Sequence, residues 1–346
     1  MNKPLTILGV MSGTSLDGVD LALCTFDKNG RYTIEDAKTI SYSENWVNKL
    51  VSAEKCGGRE LILLHREYGQ FLGELCKEFT GNSVKPDFIA SHGHTIFHEP
   101  HNGLTFQLGC GAELAVASGA DTISDFRSTD VARGGQGAPL VPIGDALLFG
   151  EYTYCLNLGG FVNVSSGEND KRIAFDIAPM NYVMNRIAKR EGMSFDENGS
   201  LAAAGKYIPE LGAALDSLDY YSAAPPKSLG REWTEKFVLP LMKSEYSSAD
   251  LLHTFSVHVA KQVAKNCPRE GKMLVTGGGA YNAFFIGELT KISAPEICIP
   301  DDCTIQFKEA LVFAFLGFLR ANGSVNALAS VTGAMRDSCT GSIYLA

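Results

Sequence analysis

The sequence predicts an α/β protein with two domains of common plan and a cleft between them. Its 346 residues exceed the size at which a single core usually stops growing. Two glycine-rich strand–turn–strand segments, 7–20 and 154–164, stand at corresponding positions in the two halves. Alternating helix and strand patterns follow each of them. Because a turn of Gly, Ser and Thr lets backbone N–H groups approach an anion closely, the two turns predict a nucleotide bound in the cleft.

The first half begins with strands and a long helix. Val19, Leu21 and Leu23 alternate with the residues between them, which is the period of a sheet strand. Apolar residues between Leu61 and Phe79 recur at helical spacing. The predicted elements are strands over 5–12, 19–26 and 31–41, a helix over 59–80, a strand over 87–91, a helix over 111–118 and a strand over 121–125.

The second half restarts this order after the glycine-rich stretch 133–139, where we expect the domain boundary. The predicted domains are therefore 1–135 and 136–346, with the last segment as a candidate to pack back on the first domain. The predicted elements are strands over 153–158, 161–166 and 172–176, helices over 180–191, 231–243 and 248–265, a strand over 272–276, a helix from about Tyr281 and a helix over 306–320.

Composition limits the partners and the location. The net charge of −9 and the pI of about 5.3 disfavour nucleic acid or an anionic membrane as the main partner. The apolar run 310–319 is too short to span a bilayer. The N-terminus shows no signal-peptide pattern, and the nine cysteines are scattered without a C-x-x-C pair. These observations predict a cytoplasmic protein with reduced thiols.

The motifs taken together resemble one family along the whole chain. The sequence is similar to the anhydro-N-acetylmuramic acid kinases at 11–20, 91–95, 125–127, 134–142, 157–160, 225–232, 276–279 and 340–344. That family belongs to the actin-like ATPase and sugar kinase superfamily, which includes acetate kinase and Hsp70. The resemblance implies two ribonuclease-H-like domains that close over ATP.

The resemblance also implies a reaction. ATP phosphorylates O6 of 1,6-anhydro-N-acetylmuramic acid while water opens the anhydro bridge, which gives N-acetylmuramic acid 6-phosphate in cell-wall recycling. It further implies Mg²⁺ with the ATP, and a homodimer. The alternative is a nucleotide-binding relative with altered sugar specificity or weak catalysis, acting as a binding or regulatory protein.

The expected nucleotide site is formed by the glycine-rich turns. The first turn would donate N–H and O–H groups to the terminal phosphates, the second would bind phosphates from the other domain, and the triple glycine would lie against the adenosine. The alternatives are an ordinary hairpin turn and a flexible connection. For Mg²⁺ the resemblance gives no ligand, and Asp17 is only a candidate. The nucleotide-binding residues are Ser12, Gly13, Thr14, Ser15, Asp17, Gly159, Gly160, Gly277, Gly278 and Gly279.

Asp176 matches the catalytic aspartate of the family. A carboxylate that ends an apolar strand can act as a general base on water. Its alternative is a helix N-cap, because Pro179 follows shortly. The loop departs from the family pattern Phe-Asp-Thr-Gly-Pro-Gly-Asn, since Ala178 and Met180 replace two glycines. Their Cβ atoms make a close backbone approach or a positive φ harder there.

The expected sugar contacts come from motifs that match the family. Arg127 would bind the lactyl carboxylate of the sugar, and its alternative is an ion pair with Asp130. Glu309 has as its alternative a solvated carboxylate in the first turn of a helix. His92 and His94 stand two apart, so a metal pair is a further alternative there. The sugar-binding residues are His92, Gly93, Thr95, Arg127, Asn181 and Glu309.

Overall fold

The computed structural model describes residues 3–13, 16–81, 84–168, 171–225 and 227–346. The chain divides into two compact units. Unit 1 comprises Met1–Leu148 and Phe307–Ala346, and unit 2 comprises Phe149–Gln306. The predicted residues Thr14 and Ser15 lie outside the described residues.

The strands belong mainly to two sheets, one in each unit. In chain order they are β1 (Leu5–Ser12), β2 (Gly18–Phe26), β3 (Tyr32–Ser41), β4 (Phe88–Ser91), β5 (His94–Glu99), β6 (Leu104–Leu108), β7 (Thr122–Ser124), β8 (Tyr154–Leu158), β9 (Phe161–Glu168), β10 (Lys171–Pro179), β11 (Lys272–Thr276), β12 (Glu296–Cys298) and β13 (Ser342–Tyr344).

The helices range from single turns to more than five turns. In chain order they are α1 (Glu44–Ser52), α2 (Gly58–Thr80), α3 (Gly111–Ser118), α4 (Ser128–Ala132), α5 (Val141–Leu148), α6 (Asn181–Ala188), α7 (Ser200–Ala204), α8 (Pro209–Asp216), α9 (Arg231–Trp233), α10 (Ser248–Asn266), α11 (Ala283–Ile292), α12 (Asp302–Ala321) and α13 (Ala329–Thr332). None of the helices described in the structure combines the length and the apolar composition that crossing a lipid bilayer requires.

Both sheets follow one strand order. Sheet 1, in unit 1, has the order β13-β7-β4-β1-β2-β3 among the described residues, and sheet 2, in unit 2, has the order β10-β9-β8-β11-β12. In each, three antiparallel strands come first in the chain, and two later strands then add in parallel beside the first, β4 and β7 in sheet 1 and β11 and β12 in sheet 2. Strand β13 is a further strand of sheet 1 and is antiparallel to β7. The repeated order confirms the predicted α/β fold with two domains of one plan. The predicted cleft between them stays a prediction.

Helix α12 explains why the C-terminal segment belongs to unit 1. A Cβ atom added at Gly9 of β1 would lie 1.9 Å from the carbonyl oxygen of Ala310, so the helix backbone touches the strand backbone. Farther along, a Cβ at Gly317 would lie 2.7 Å from the Cβ of Ala90 in β4. Glycine at these two positions therefore allows α12 to pack closely on sheet 1.

The observed division of the chain corrects the predicted one. The first segment of unit 1 ends at Leu148 rather than at residue 135. The return of the chain to unit 1 at Phe307 agrees with the expectation that the last segment packs back on the first domain. The reason is α5, which follows the glycine-rich stretch 133–139 and which the sequence analysis missed. Asp145 of α5 forms a buried ion pair with Lys308 of α12, at 2.7 Å, so α5 is bound to the rest of unit 1.

Most predicted elements are present, and the differences are local. The predicted helix over 231–243 is a succession of α, π and 3₁₀ turns that ends at Leu241. The helix expected from about Tyr281 begins at Ala283, and the last long helix begins at Asp302 instead of residue 306. The sequence analysis missed the β5–β6 hairpin and the short edge strands β12 and β13. All nine cysteines lie in the described residues and are free thiols.

Candidate active site

Unit 2 brings three predicted segments to one edge of sheet 2. Strands β8, β10 and β11 run in the same direction, so their carboxyl ends meet at one edge. Asp176 near the end of β10 pairs with Asn163, which pairs with Asn157 near the end of β8. Asn157 in turn pairs with Thr276, the last residue of β11. The glycine-rich turns after β8 and β11 therefore lie at the same edge as Asp176.

The two turns form a glycine cradle, defined here as Gly159, Gly160, Gly277 and Gly278. Gly277 has a φ of +82°, and a Cβ there would lie 2.5 Å from Asn157 Oδ1, so its glycine is required by the fold. Gly160 and Gly278 are exposed and lack a positive φ, and a Cβ at either would meet nothing closer than 4.0 Å. The protein itself does not require glycine at these two positions. Their bare backbone fits a bound group that approaches closely, such as a phosphate.

Asn181 connects the parts of the glycine cradle. Its side-chain amide donates to the carbonyl of Leu158 at 3.1 Å, and its backbone N–H donates to the carbonyl of Gly159 at 3.3 Å. A Cβ at Gly278 would lie 4.0 Å from Asn181 Nδ2. These bonds orient the turn after β8, and the sugar contact expected of Asn181 stays a prediction. Gly279 is buried against Leu158, on the inner side of the second turn.

The carboxylate of Asp176 is bound on one oxygen only. The backbone N–H of Leu229 donates to Oδ2 at 2.8 Å, and the backbone N–H of Asp176 donates to the carbonyl of Lys227 at 3.2 Å. Within the described part of the chain, no hydrogen bond reaches Oδ1. Burial raises the pKa of the Asp176 carboxyl, and the Leu229 N–H partly opposes that rise. The carboxylate is thus oriented and more basic than an ordinary aspartate.

The N-cap alternative for Asp176 is wrong. Asp176 lies inside β10, and the residue that precedes α6 is Met180, so the strand continues past the predicted capping position. The pairing of β10 with β9 shifts register between Asp176 and Ala178, which is a bulge in the strand. Bulges often redirect a side chain beside an active site.

The two residues that depart from the family loop pattern, Ala178 and Met180, pack in the core of unit 2. Ala178 and Met180 are fully buried, and neither has a positive φ. The Cε atom of Met180 would lie 2.9 Å from a Cβ on Gly279, so this side chain packs under the second glycine turn. The Cβ atoms therefore point into unit 2, and they do not crowd the exposed face of the glycine cradle.

In unit 1 the polar end of β1 is part of a hydrogen-bond network. The hydroxyl of Ser12 lies 2.7 Å from Tyr42 Oη and 3.0 Å from His94 Nδ1, and Tyr42 Oη lies 2.5 Å from Tyr68 Oη. Ser12 is buried, and its hydroxyl takes part in this network. Its donation to a phosphate stays a prediction. Gly13 follows the strand and is half-buried.

Two of the predicted sugar-binding residues, His92 and Arg127, are hydrogen-bonded to each other. They follow β4 and β7, whose carboxyl ends meet at one edge of sheet 1. The guanidinium donates from Nε and Nη2 to His92 Nε2, at 3.0 and 2.8 Å. Since Nε2 accepts, the ring proton sits on Nδ1 and bonds the carbonyl of Gly93 at 2.8 Å. Burial and the Arg127 charge lower the pKa of His92 well below its ordinary value, so the ring is neutral.

The proposed ion pair of Arg127 with Asp130 is wrong. Asp130 is buried and accepts from the backbone N–H of Gly137 and the hydroxyl of Thr332, both at 2.8 Å. Arg127 instead donates from Nη1 to the carbonyl of Gly137 at 2.6 Å. Burial lowers the pKa of the guanidinium to about 10, so it stays charged near neutral pH. The charge is bound by neutral acceptors, which leaves it able to attract an anionic ligand.

Glu309 lies near this charge. Its side chain is exposed on α12, while the surrounding protein atoms raise the pKa of its carboxyl. Arg127 and Lys308 lower that pKa, and the charge of Asp20 raises it. The first-turn alternative for Glu309 is wrong, because α12 begins at Asp302, about two turns earlier.

The paired-histidine metal alternative has no support in the described residues. His94 bonds Ser12 through Nδ1, and burial lowers its pKa to about 4. In the described part of the chain there is no group of three or more His, Cys, Asp or Glu side chains that could bind a metal ion. Thr95 lies on β5, where its hydroxyl accepts a bond from Gln107 at 3.5 Å.

Sequence reasoning missed the residues that orient the site. Leu229 acts through its backbone, so its side chain gave no signal, although the segment 225–232 matched the family. Gly137 was assigned to a domain boundary, yet its carbonyl binds Arg127. Tyr42 follows a predicted strand and shows its role only when the fold brings it to Ser12.

The sequence model of the anhydro-N-acetylmuramic acid kinase family matches residues 5–346. The chain is 34% identical over 360 residues to the anhydro-N-acetylmuramic acid kinase of Chromobacterium violaceum, covering 97% of this chain and 98% of that protein. It is 35% identical over 361 residues to the enzyme of the same description from Pseudomonas fluorescens, covering 97% and 98%. Among solved structures, it is similar to the activator of the 2-hydroxyisocaproyl-CoA dehydratase from Clostridium difficile with bound ADPNP, with a TM-score of 0.47, 15% identity, and 92% and 96% of the two chains covered.

Proposed function

The chain belongs to the anhydro-N-acetylmuramic acid kinase family, and on this premise we propose the reaction that it performs and the residues that perform it. It is an ATP:sugar phosphotransferase. It opens the 1,6-anhydro bridge of anhydro-N-acetylmuramic acid with water and phosphorylates O6. The product is N-acetylmuramic acid 6-phosphate, an intermediate of peptidoglycan recycling.

The state of the Asp176 carboxylate carries the proposal. One oxygen is bound by the Leu229 N–H and the other receives no bond within the described residues, as a base that must meet a water molecule requires. Burial raises the pKa of the carboxyl, which makes it a stronger proton acceptor.

The glycine cradle is our candidate site for the phosphates of ATP. Bound ATP supplies the transferable terminal phosphoryl group. Exposed glycines at Gly160 and Gly278 support the fit, because a side chain at either position has room in the protein and yet is absent. We assign the adenosine side to the turn of Gly277, Gly278 and Gly279, and further phosphate contacts to the backbone at Gly13.

Mg²⁺ belongs to the same proposal. Asp17 is our candidate ligand, together with Asp20, whose pKa is raised by burial and by the nearby charge of Asp17. Carboxylate oxygens are the ligands that Mg²⁺ prefers. The ion would neutralise charge on the phosphates.

His92, Arg127 and Glu309 are our candidates for binding the sugar. The Arg127 charge, bound only by neutral acceptors, suits the lactyl carboxylate of the muramic acid. His92 is neutral and acts by orienting the guanidinium. Glu309, near that charge, can accept hydrogen bonds from sugar hydroxyls.

The chemical steps balance with these groups. Asp176 Oδ1 takes a proton from water, and the water oxygen bonds the anomeric carbon. The bond from that carbon to O6 breaks and leaves its electron pair on O6. O6 then accepts the phosphoryl group, ADP leaves, and Asp176 returns its proton to solvent.

We also propose that the protein works in the cytoplasm and as a homodimer, both from the family. The acidic composition of the chain fits a small-molecule substrate better than nucleic acid. The alternative of a regulatory, weakly catalytic relative rested on the Ala178 and Met180 departure. Since both side chains are buried in unit 2, no observation favours that alternative.

A coupled ADP-release assay on the purified protein tests the function. With anhydro-N-acetylmuramic acid we expect ADP release and a product heavier than the sugar by one phosphoryl group and one water. N-acetylglucosamine and N-acetylmuramic acid, which lack the bridge, are the control sugars. ADP release without a phosphorylated sugar, or equal turnover of the control sugars, would overturn the proposal.

A further inference from the structure

Tyr220 contacts the main chain of the proposed base. Its hydroxyl donates to the backbone carbonyl of Asp176 at 2.7 Å. With the bonds from Asp176 to Lys227 and Leu229, three polar groups of this one residue are bound by a single chain segment. We call Tyr220, Lys227 and Leu229 the aspartate bracket.

The bulge in β10 explains why Asp176 needs this bracket. The register with β9 shifts between Asp176 and Ala178, so the regular ladder is interrupted at the peptide that follows Asp176. The carbonyl at that peptide is the one that accepts from Tyr220. The Tyr220 hydroxyl thus supplies the hydrogen bond to the Asp176 carbonyl that a backbone N–H of a neighbouring strand supplies elsewhere in the sheet.

The segment that carries Tyr220 is itself anchored. Tyr220 and Tyr221 lie on a short 3₁₀ turn, Asp219–Ser222. Lys227 Nζ donates to the carbonyl of Tyr220 at 3.1 Å and lies 4.7 Å from the centre of its ring. Lys265 Nζ of α10 donates to the carbonyl of Tyr221 at 3.0 Å. Rotation of the Tyr220 backbone is therefore opposed by two lysines.

A second set of bonds attaches the start of this segment to α10. Asp216, the last residue of α8, bonds His258 Nδ1 at 2.6 Å and Gln262 Nε2 at 3.2 Å. His258 is buried, and the ring of Tyr221 lies edge-on to it with centroids 4.7 Å apart. The turn is fixed to a long helix at both its beginning and its end, which gives the Tyr220 hydroxyl a defined position.

We propose that Tyr220 is a positioning residue for catalysis, which sets the direction of Asp176 Oδ1 by fixing the peptide after Asp176. The inference rests on the proposed function, because it assumes that Asp176 is the base. The carbonyl, the N–H and Oδ2 of Asp176 are all bound, which restricts the orientation of its side chain, while Oδ1 receives no hydrogen bond within the described residues. Loss of the phenol hydroxyl lets the bulged peptide rotate and moves Oδ1 off the water.

Tyr220→Phe tests this, with Tyr221→Phe as the matched control. Tyr221 is adjacent and buried, and its hydroxyl makes no hydrogen bond within the described residues. We expect Tyr220→Phe to lower kcat roughly tenfold to a hundredfold, as for a misplaced catalytic group. The KM for ATP stays unchanged because the glycine cradle remains. The pH at which activity falls in acid, the acid limb of the pH profile, also stays unchanged, because Asp176 keeps its burial and its bond from the Leu229 N–H. Tyr221→Phe keeps kcat within about twofold.

The outcomes separate this inference from the proposed function. If the wild-type protein does not phosphorylate the anhydro sugar, the proposed function falls and this inference falls with it. If the wild type is active and Tyr220→Phe is equally active, the inference alone is wrong. If Tyr220→Phe shifts the acid limb, or raises the KM for ATP together with a lower Tm, Tyr220 has only a structural role and the inference is also overturned.

Discussion

The backbone N–H of Leu229 lies 2.8 Å from Oδ2 of Asp176, while within the described residues Oδ1 receives no hydrogen bond. This relationship gives the two oxygens of one carboxylate different tasks. The bound oxygen fixes the orientation, and the other can take a proton. This donor on the charged form also partly opposes the rise in the pKa of Asp176 that burial causes.

Replacing the proposed base tests this division of tasks. Asp176→Asn keeps the shape and an acceptor for the Leu229 N–H, and removes the basic oxygen. We expect kcat to fall by about 10²–10⁴-fold, the usual contribution of a general base. The affinity for an ATP analogue, measured by calorimetry, stays the same because the glycine cradle is unchanged. The control Asp219→Asn alters an exposed aspartate and should leave kcat unchanged. An Asp176→Asn protein with normal turnover would exclude this residue as the base.

As the pH is lowered, the activity should fall at a higher pH than it would if the base were an aspartate with an ordinary pKa. The base works ionised, and burial raises the pKa of Asp176. Because the folded pKa lies above the unfolded one, the contribution of Asp176 to the free energy of unfolding increases as the pH falls through this window. Titration of Asp176 therefore does not unfold the protein in acid, and a loss of activity in this pH range reports the protonation of the base. The measurement is kcat/KM against pH, with thermal unfolding recorded at each pH.

Two controls identify the group that titrates. Glu309→Gln removes one of the two further carboxyls whose pKa is raised, the second being Asp20, and the acid limb should persist in this variant. His92 and His94 should add no inflection near neutrality, because burial lowers the pKa of both, that of His94 to about 4. A limb that disappears in Glu309→Gln would assign the titration to Glu309 instead.

The two exposed glycines of the glycine cradle, Gly160 and Gly278, should tolerate a methyl group in the free protein but not with nucleotide bound. Gly160→Ala and Gly278→Ala add a Cβ that meets nothing closer than 4.0 Å and need no positive φ. We expect an unchanged Tm and an ATP-analogue Kd raised roughly tenfold, or about 1.4 kcal/mol. Gly287→Ala is the control, since a Cβ there has no neighbour within 4 Å. Unaltered nucleotide affinity in both cradle variants would contradict the phosphate assignment.

Binding of the sugar should depend on the acceptor that His92 offers to Arg127. His92→Phe keeps a ring against Phe313, whose centroid lies 4.8 Å away, but removes Nε2. Loss of a hydrogen bond to a charged group costs about 1.5–3 kcal/mol, so the KM for the sugar should rise roughly ten- to hundredfold. The KM for ATP stays constant in the same steady-state assay. His101→Phe changes an exposed histidine and serves as the control. If the two variants have the same KM for the sugar, His92 does not contribute to sugar binding by orienting Arg127.

Met180 should act on stability rather than directly on chemistry. The side chain is fully buried under Gly279, so Met180→Ala leaves a cavity and should cost about 2–5 kcal/mol in the free energy of unfolding. Met335 is 83% exposed, and Met335→Ala should cost less than about 0.5 kcal/mol. Denaturant titrations measure both. If the two variants are equally stable, the packing of Met180 against Gly279 does not contribute to the free energy of unfolding.

Local pattern predicted the central strands of both sheets but not the short edge strands β12 and β13. Strand β11 has the bounds that the apolar run indicated, and α3 has the bounds that its spacing indicated. The pattern failed where an element is short or made by packing. Helix α5 follows a glycine-rich stretch that resembles a linker, and its Asp145 forms an ion pair with Lys308 of α12 within unit 1.

The sequence by itself determined the α/β class, the repeated plan, the glycine turns and the family, because each depends on residues close together in the chain. Only the tertiary structure decided how the side chains are used. Asp176 meets Leu229 across 53 positions, and Arg127 meets His92 across 35. Contacts at such separations leave no periodic signal, because many folds could satisfy the same local preferences. The orientation of Asp176, the protonation of His92 and the return of α12 to sheet 1 therefore follow from packing and hydrogen bonding in the folded chain.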